Sequence, residues 1–185
     1  MTKPRTGVRP TTRKVFEALF AILDGLVERW DGLQVLDAFA GIGQLGLEAL
    51  DRGASHVTFV EKDGAVASDL RRCLGRDKRV TLVRGDACDV LGRLGSPFDL
   101  VFLDPPYSAG LAARALDVLG ARALVAEGGW VVAEHHHKDE MPEASGPLGL
   151  VRRQRYGETA LSFYQRAPRL AARVDTPTDA RRSSV

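Results

Sequence analysis

Cysteine is scarce in this chain of 185 residues, with only Cys73 and Cys88 present. Two cysteines are too few for a disulfide framework, and neither sits in a zinc-ligand spacing. No apolar run approaches the roughly 20 residues needed to span a bilayer. The first ten residues, Met1 to Pro10, hold cations but no apolar stretch, unlike a secretory signal. A membrane protein and a disulfide-stapled secreted domain are thereby disfavoured, and the expectation is a cytoplasmic protein in a reducing compartment. Apolar residues make up 44% and charged residues 27%, the balance of a soluble globular protein. The length suits one α/β domain with a real core.

Net charge is also small, at +2, but its distribution is uneven. Lys3, Arg5, Arg9, Arg13 and Lys14 make the first 14 residues wholly basic. Arg166, Arg169, Arg173, Arg181 and Arg182 outnumber Asp175 and Asp179 over residues 166–185. The intervening body is net acidic. Basic ends on an acidic body suit a polyanion partner, and equally suit two solvated termini. Residues 167–185 lack a hydrophobic period and read as a disordered basic tail. Residues 1–11 form a basic leading segment, and 12–166 a single domain without internal repeats.

Within that domain Val15, Leu19, Ile22, Leu23 and Leu26 fall on one face at helical spacing, which predicts a helix over 12–27 capped by Thr11 or Thr12. Apolar strand candidates follow at Gln34–Phe39, His56–Glu61, Val80–Arg84, Phe98–Leu103 and Trp130–Glu134. Helical stretches lie between them near Leu45–Arg52, Ala65–Leu74, Cys88–Leu94 and Ala109–Leu119. Strands apolar on both faces and separated by helices imply a parallel sheet covered on both sides. Leu150–Tyr156 and Thr159–Gln165 flank Gly157-Glu158 and predict a terminal β-hairpin. The expected fold is therefore α/β and Rossmann-like, an open, mostly parallel seven-stranded sheet with a C-terminal antiparallel hairpin. Ligands of such sheets bind beyond the carboxyl ends of the strands.

The first strand runs into Asp37-Ala38-Phe39-Ala40-Gly41-Ile42-Gly43-Gln44-Leu45-Gly46. Gly41, Gly43 and Gly46 fit G-x-G-x-x-G between a strand and a helix, a loop that lets a ligand approach backbone. Such a loop can cradle a dinucleotide pyrophosphate. Asp37 at the strand end would repel a pyrophosphate, but suits the cationic methionyl end of S-adenosylmethionine. Glu61 ends the second strand and can accept from both ribose hydroxyls. Asp86 follows the third and can accept from the adenine amine, although each acid could also be an ordinary cap. Phe39, Ala40, Lys62 and Ala87 flank these positions and complete the candidate cofactor set.

Strand four leads directly into Asp104-Pro105-Pro106-Tyr107. An exocyclic amine of a nucleobase is a poor nucleophile, because its lone pair is delocalised into the ring. Acceptors for its two hydrogens, here the Asp104 carboxylate and the Pro105 carbonyl, would hold it and raise its sp³ character. Two prolines make the turn rigid, and Tyr107 can stack on the base. The expected chemistry is in-line methyl transfer helped by positioning and electrostatics, with no metal.

Taken together, these stretches resemble the RsmD family, which makes N2-methylguanine in bacterial 16S ribosomal RNA. The resemblance is carried by Arg9-Pro10-Thr11-Thr12 with Val15–Phe20, by residues 37–54, by Phe59-Val60-Glu61, by residues 104–107, and by Arg155 to Tyr164. It spans about residues 7–165. It implies S-adenosylmethionine as methyl donor and a guanine of 16S ribosomal RNA as target, presented in a small ribosomal subunit or assembly intermediate. It also implies that Asp104 to Tyr107 bind the amine, and that Gly41, Gly43, Glu61 and Asp86 contact the cofactor. The chain departs from the family in having only eight residues before Arg9, where a basic hairpin is usual. It also carries Ile42 and Gln44 where small residues are usual, and lacks the Arg and Asn expected inside the stretch that runs from Arg13 to Leu23.

Arg9, Arg13 and Lys14 are candidate phosphate contacts, and Arg155 and Tyr156 candidate RNA contacts at the rim, where they would equally suit an ordinary surface. His135-His136-His137 read as a polar loop, since neighbours on an extended segment point oppositely and cannot easily share a metal. Trp30 and Trp130 read as packing anchors. A monomer is expected. Rival readings are an adenine-N6 methyltransferase of DNA or RNA, and a non-catalytic RNA-binding factor keeping the fold. Asp37 and Asp104 to Tyr107 disfavour a nicotinamide-dependent oxidoreductase.

Overall fold

The structure is a computed structural model, and it describes residues 13–106 and 110–167. Arg9, the Thr11 or Thr12 cap, Tyr107 and the tail expected from Pro168 onward lie outside the described residues. The chain runs α1 (Arg13–Leu26), β1 (Gln34–Asp37), α2 (Gln44–Asp51), β2 (His56–Glu61), α3 (Gly64–Leu74), β3 (Val80–Arg84), α4 (Ala87–Leu91), β4 (Phe98–Leu103), α5 (Leu111–Arg122), β5 (Val125–His136), β6 (Ala144–Ser145), β7 (Leu148–Tyr156) and β8 (Thr159–Arg166). One sheet takes the order β3-β2-β1-β4-β5-β8-β7-β6. The first five of these strands in space are parallel, and β8, β7 and β6 are added antiparallel. From β1 the chain winds outward through β2 and β3, then returns to place β4 on the other flank of β1. The β1–β4 boundary is therefore the switch point at which an open sheet leaves a crevice.

Helices cover both faces, as continuous apolar strands require. α1, α2 and α3 pack on one face, where Phe20, Leu45, Leu70, Phe59, Phe102, Val132 and Phe163 are buried together. α4 and α5 cover the other, where Leu91, Leu116, Val101, Val131 and Tyr164 meet. Arg52 ties α1 to α2: it pairs with Asp24 and Glu48 while its guanidinium lies over the Phe20 and Trp30 rings. Trp30 packs against this core and Trp130 is buried in it, the anchoring role read from the sequence.

Three differences from the sequence reading have local causes. The sheet has eight strands rather than seven, because Ala144–Ser145 pairs with the start of β7. Two residues carry no periodicity, so β6 leaves no sequence signal. β5 begins at Val125 rather than at Trp130: a bulge carrying Gly128 at φ 77° lets Val125 and Trp130 pair with Phe98 and Leu100. Finally, His135 and His136 continue β5 instead of forming a loop. His135 is buried, its Nε2 lying 2.8 Å from Ser162 Oγ and its Nδ1 2.8 Å from the His136 carbonyl.

Tyr164 is the largest fully buried side chain, and its hydroxyl donates to the Pro142 carbonyl at 2.7 Å. Tyr164→Phe keeps the ring and strands that carbonyl. The expected loss is about 1–2 kcal/mol, read as a lower denaturation midpoint with an unchanged m-value.

Candidate active site

The site is built where the strands end. Phe59 of β2, Asp37 of β1, Phe102 of β4 and Val132 of β5 lie side by side in register. Two residues further along the chain come Glu61, Asp104 and Glu134. Because strand residues alternate between faces, these acids continue the same face of the sheet as Asp37, which sits one step deeper. Asp37 is accordingly 1% exposed, and Glu134 is buried as well.

The loop after β1 is held by backbone bonds to both neighbouring strands: Ala38 N–H donates to the Phe102 carbonyl and Ala40 N–H to the Val60 carbonyl. Gly43 caps α2 with φ 84°, a left-handed conformation, and a Cβ there would lie 2.6 Å from Leu70 Cδ1. Gly46 faces the Phe59 ring so closely that a Cβ would stand 2.2 Å from it. α2 therefore presses directly on β2, and its first turn points at the crevice. Ile42, at the loop tip, is 64% exposed, so the larger residue costs the cradle no internal room.

Three carboxylates stand at or just beyond the ends of β1, β2 and β3. Asp37 Oδ2 accepts from Gly46 N–H at 3.0 Å, while Oδ1 is buried without a hydrogen-bond partner among the described residues. Burial, followed by the nearby charges of Asp104 and Glu61, pushes its pKa up to about 7. Glu61 Oε2 accepts from Gly41 N–H at 2.8 Å and Oε1 from Asp63 N–H at 2.7 Å. Each oxygen keeps lone-pair capacity toward the cradle. Asp86 caps α4 through Cys88 N–H, and its other oxygen meets Lys62 Nζ at 3.0 Å. The Lys62 bond holds its pKa below the usual carboxylate range. Asp86 thus does serve as a cap, with Lys62 fixed across it and Ala87 opening α4 beneath. A buried carboxylate oxygen lacking a donor, beside a glycine turn and a pinned second carboxylate, fits a cationic ligand carrying a diol. S-adenosylmethionine is such a ligand.

Beyond Leu103 the chain gives Asp104, half-buried, then Pro105, buried, and Pro106, exposed. The two prolines share a small cleft with Glu134, His135, Asp139 and Met141. The cleft lies close to the cofactor cradle, since Pro105 comes three residues after Phe102, which pairs with Asp37 in the adjacent strand. The candidate RNA contacts lie apart. Arg13, exposed at the start of α1, bonds Glu17 at 2.7 Å, and Lys14 beside it is exposed. Arg155 is exposed on β7 and donates from Nε to the Gly157 carbonyl at 2.7 Å, whereas Tyr156 packs partly into the core. The sequence placed Glu134 at the end of the fifth strand, where it could serve the site or only a loop, and the structure buries it beside the diproline turn.

The profile of the family described as Conserved hypothetical protein 95, that of RsmD, matches residues 1–165. Ribosomal RNA small subunit methyltransferase D of Escherichia coli (strain K12) is 35% identical over 162 residues, covering 86% of this chain and 80% of the relative. The chain belongs to the RsmD family. It is an S-adenosylmethionine-dependent RNA methyltransferase. A solved structure from Escherichia coli, described as the methyltransferase yhhF, superposes with TM-score 0.76 at 34% identity, covering 89% of this chain and 91% of its own. The fold alone is shared with magnesium protoporphyrin IX methyltransferase of Synechocystis, solved with its methyl donor bound (TM-score 0.62, 16% identity, 87% and 86% coverage). Among the described residues no helix is long and apolar enough to cross a membrane.

Asp37 supplies a pH test. Its pKa of about 7 lies above the unfolded value, so the folded state holds the extra proton. Stability therefore falls as pH rises from about 4 to 7, and the penalty is complete above that. Asp37→Asn is expected to raise apoprotein stability by up to roughly 3–4 kcal/mol above pH 7, to give no such gain near pH 4, and to weaken S-adenosylmethionine binding at least tenfold. Denaturant titrations at both pH values and calorimetry check this.

Proposed function

We propose that the chain transfers a methyl group to the exocyclic N2 amine of a guanine in small-subunit (16S) ribosomal RNA, within a small subunit or its assembly intermediate. The observation carrying this reading is the rigid Asp104-Pro105-Pro106 turn at the end of β4, next to the cofactor cradle. Both belong to the switch point of one sheet.

S-adenosylmethionine, when bound, supplies an electrophilic methyl group on a sulfonium. Asp37 would balance the cationic end of that ligand, with its carboxylate held by Gly46 N–H. Glu61 would accept from the ribose hydroxyls, and Asp86 with Ala87 would border the adenine. Phe39, Ala40, Gly41 and Gly43 would form the floor. Asp104 and the Pro105 carbonyl would accept the two amine hydrogens of the base, aiming the nitrogen lone pair at the methyl group. Pro106 stiffens the turn, and Tyr107 would stack on the base. As the N–C bond forms and the S–C bond breaks, the amine would give up one proton to Asp104 or to solvent, and the rate is owed chiefly to positioning and fixed charge.

Arg155 and Tyr156, at the tip of the β7–β8 hairpin, Arg13 and Lys14, at the start of α1, and Arg9 would meet RNA phosphates. Those contacts would orient the substrate, leaving base choice to the cleft.

The deciding experiment is methyl transfer from labelled S-adenosylmethionine to unmethylated small subunits, naked 16S RNA and duplex DNA, with the product nucleoside identified. N2-methylguanine in RNA is expected, and N6-methyladenine would overturn the reading. Asp104→Ala is expected to lower kcat by roughly 10²–10³-fold while cofactor binding persists. Replacing Arg155 by Ala should weaken RNA affinity and lower the slope of log affinity against log salt by about one. An unchanged slope would remove Arg155 from the interface.

A further inference from the structure

Glu134 is 7% exposed, an unusual position for an acid, and nothing in the mechanism above uses it. Its placement is specific. Phe102 pairs with Val132 and Leu103 with Ala133 across the parallel β4–β5 ladder. The next residue on each strand is Asp104 and Glu134 respectively. Neighbouring parallel strands lie about 4.8 Å apart, so the backbones of Asp104 and Glu134 follow one another across the sheet end, one step past the last paired residues. Glu134 also borders the cleft formed by Pro105 and Pro106. On its other side β5 pairs with β8, Glu134 opposite Leu161, a fully buried core residue. The position is therefore locked by strands on both flanks.

The chemistry of the two candidate bases separates them at such a pair of acceptors. On guanine, the N2 amine and the N1–H are adjacent donors along one edge. On adenine, the N6 amine is flanked by N1, which is a lone pair. An amine held by Asp104 and the Pro105 carbonyl would bring the base's N1 toward the next acceptor in the row. A carboxylate there attracts N1–H and repels a lone pair. We propose that Glu134 is a specificity-determining residue that accepts the N1–H of the target guanine, making the cleft selective for guanine over adenine. This rests on the guanine-N2 reading above and gives it a structural reason.

The test uses 2-aminopurine, which keeps the 2-amino group but presents a lone pair at N1. A small-subunit RNA carrying it in place of the target guanine is compared with the guanine RNA, for the wild-type chain and for Glu134→Gln. Gln can offer a carbonyl to N1–H or an amide N–H to the lone pair. The wild-type chain is expected to favour guanine by roughly 100-fold in kcat/KM. Glu134→Gln is expected to narrow that preference to below about tenfold, with S-adenosylmethionine affinity unchanged. Wild-type protein that methylates both RNAs at similar rates would overturn the proposal, whatever the variant does. Retention of the full preference by a folded, cofactor-binding Glu134→Gln would overturn it too, and both results leave N2-methylguanine as the product. If wild-type protein makes N6-methyladenine instead, the underlying reading fails and Glu134 falls with it.

Discussion

The buried carboxylate of Asp37 is the point on which the rest of the site depends. It lies at the end of the central strand β1, 1% exposed, with one oxygen held by Gly46 N–H and the other without a hydrogen-bond partner among the described residues. An isolated charge in such a place is costly, and here Glu61 and Asp104 add repulsion. The fold tolerates the position because β2 and β4 flank β1 in register and α2 is pressed onto the sheet at Gly46. The cost is relieved when a cation lies against the carboxylate. The apoprotein thus holds a site that is electrostatically incomplete, a common feature of preorganised binding sites.

Around that carboxylate the sheet arranges a division of labour by strand. β2 ends in Glu61, fixed by two backbone N–H groups, and the turn after β3 ends in Asp86, fixed by its cap and by Lys62. These borders are rigid before any ligand arrives. The diproline turn just beyond β4 and Glu134 near the end of β5 together border a neighbouring cleft. On the proposed reading, donor and acceptor of the methyl group would be served by different pairs of strands meeting at one switch point. The antiparallel β8–β7–β6 extension completes the sheet past β5 and carries Arg155 and Tyr156 on its hairpin.

Much of this was legible in the sequence. β2, β3 and β4 were bounded to the residue, because each is a short apolar-rich run closed by polar or turn residues. The glycine loop and Asp104-Pro105-Pro106 were visible as fixed local spacings, and the family they suggested is the one to which the chain belongs. What escaped depends on distant partners. The start of β5 was hidden by Gly128-Gly129, which reads as a turn and is in fact a bulge against β4. β6 exists only because β7 lies beside it. His135 looked polar and surface-like, yet burial lowers its pKa and Ser162 satisfies its ring. Glu134 gained meaning only when the β4–β5 register set it beside Asp104. Asp86 was open to two readings in the sequence, and the structure adds Lys62 to it without removing either.

The claim that a strained Asp37 is completed by a cationic methyl donor is most directly tested by following the Asp37 carboxyl carbon by NMR across pH, with and without S-adenosylmethionine. The account predicts titration near 7 in the apoprotein and a marked fall once the ligand is bound. An ordinary carboxylate value in the apoprotein, or a midpoint that ignores the ligand, would contradict it.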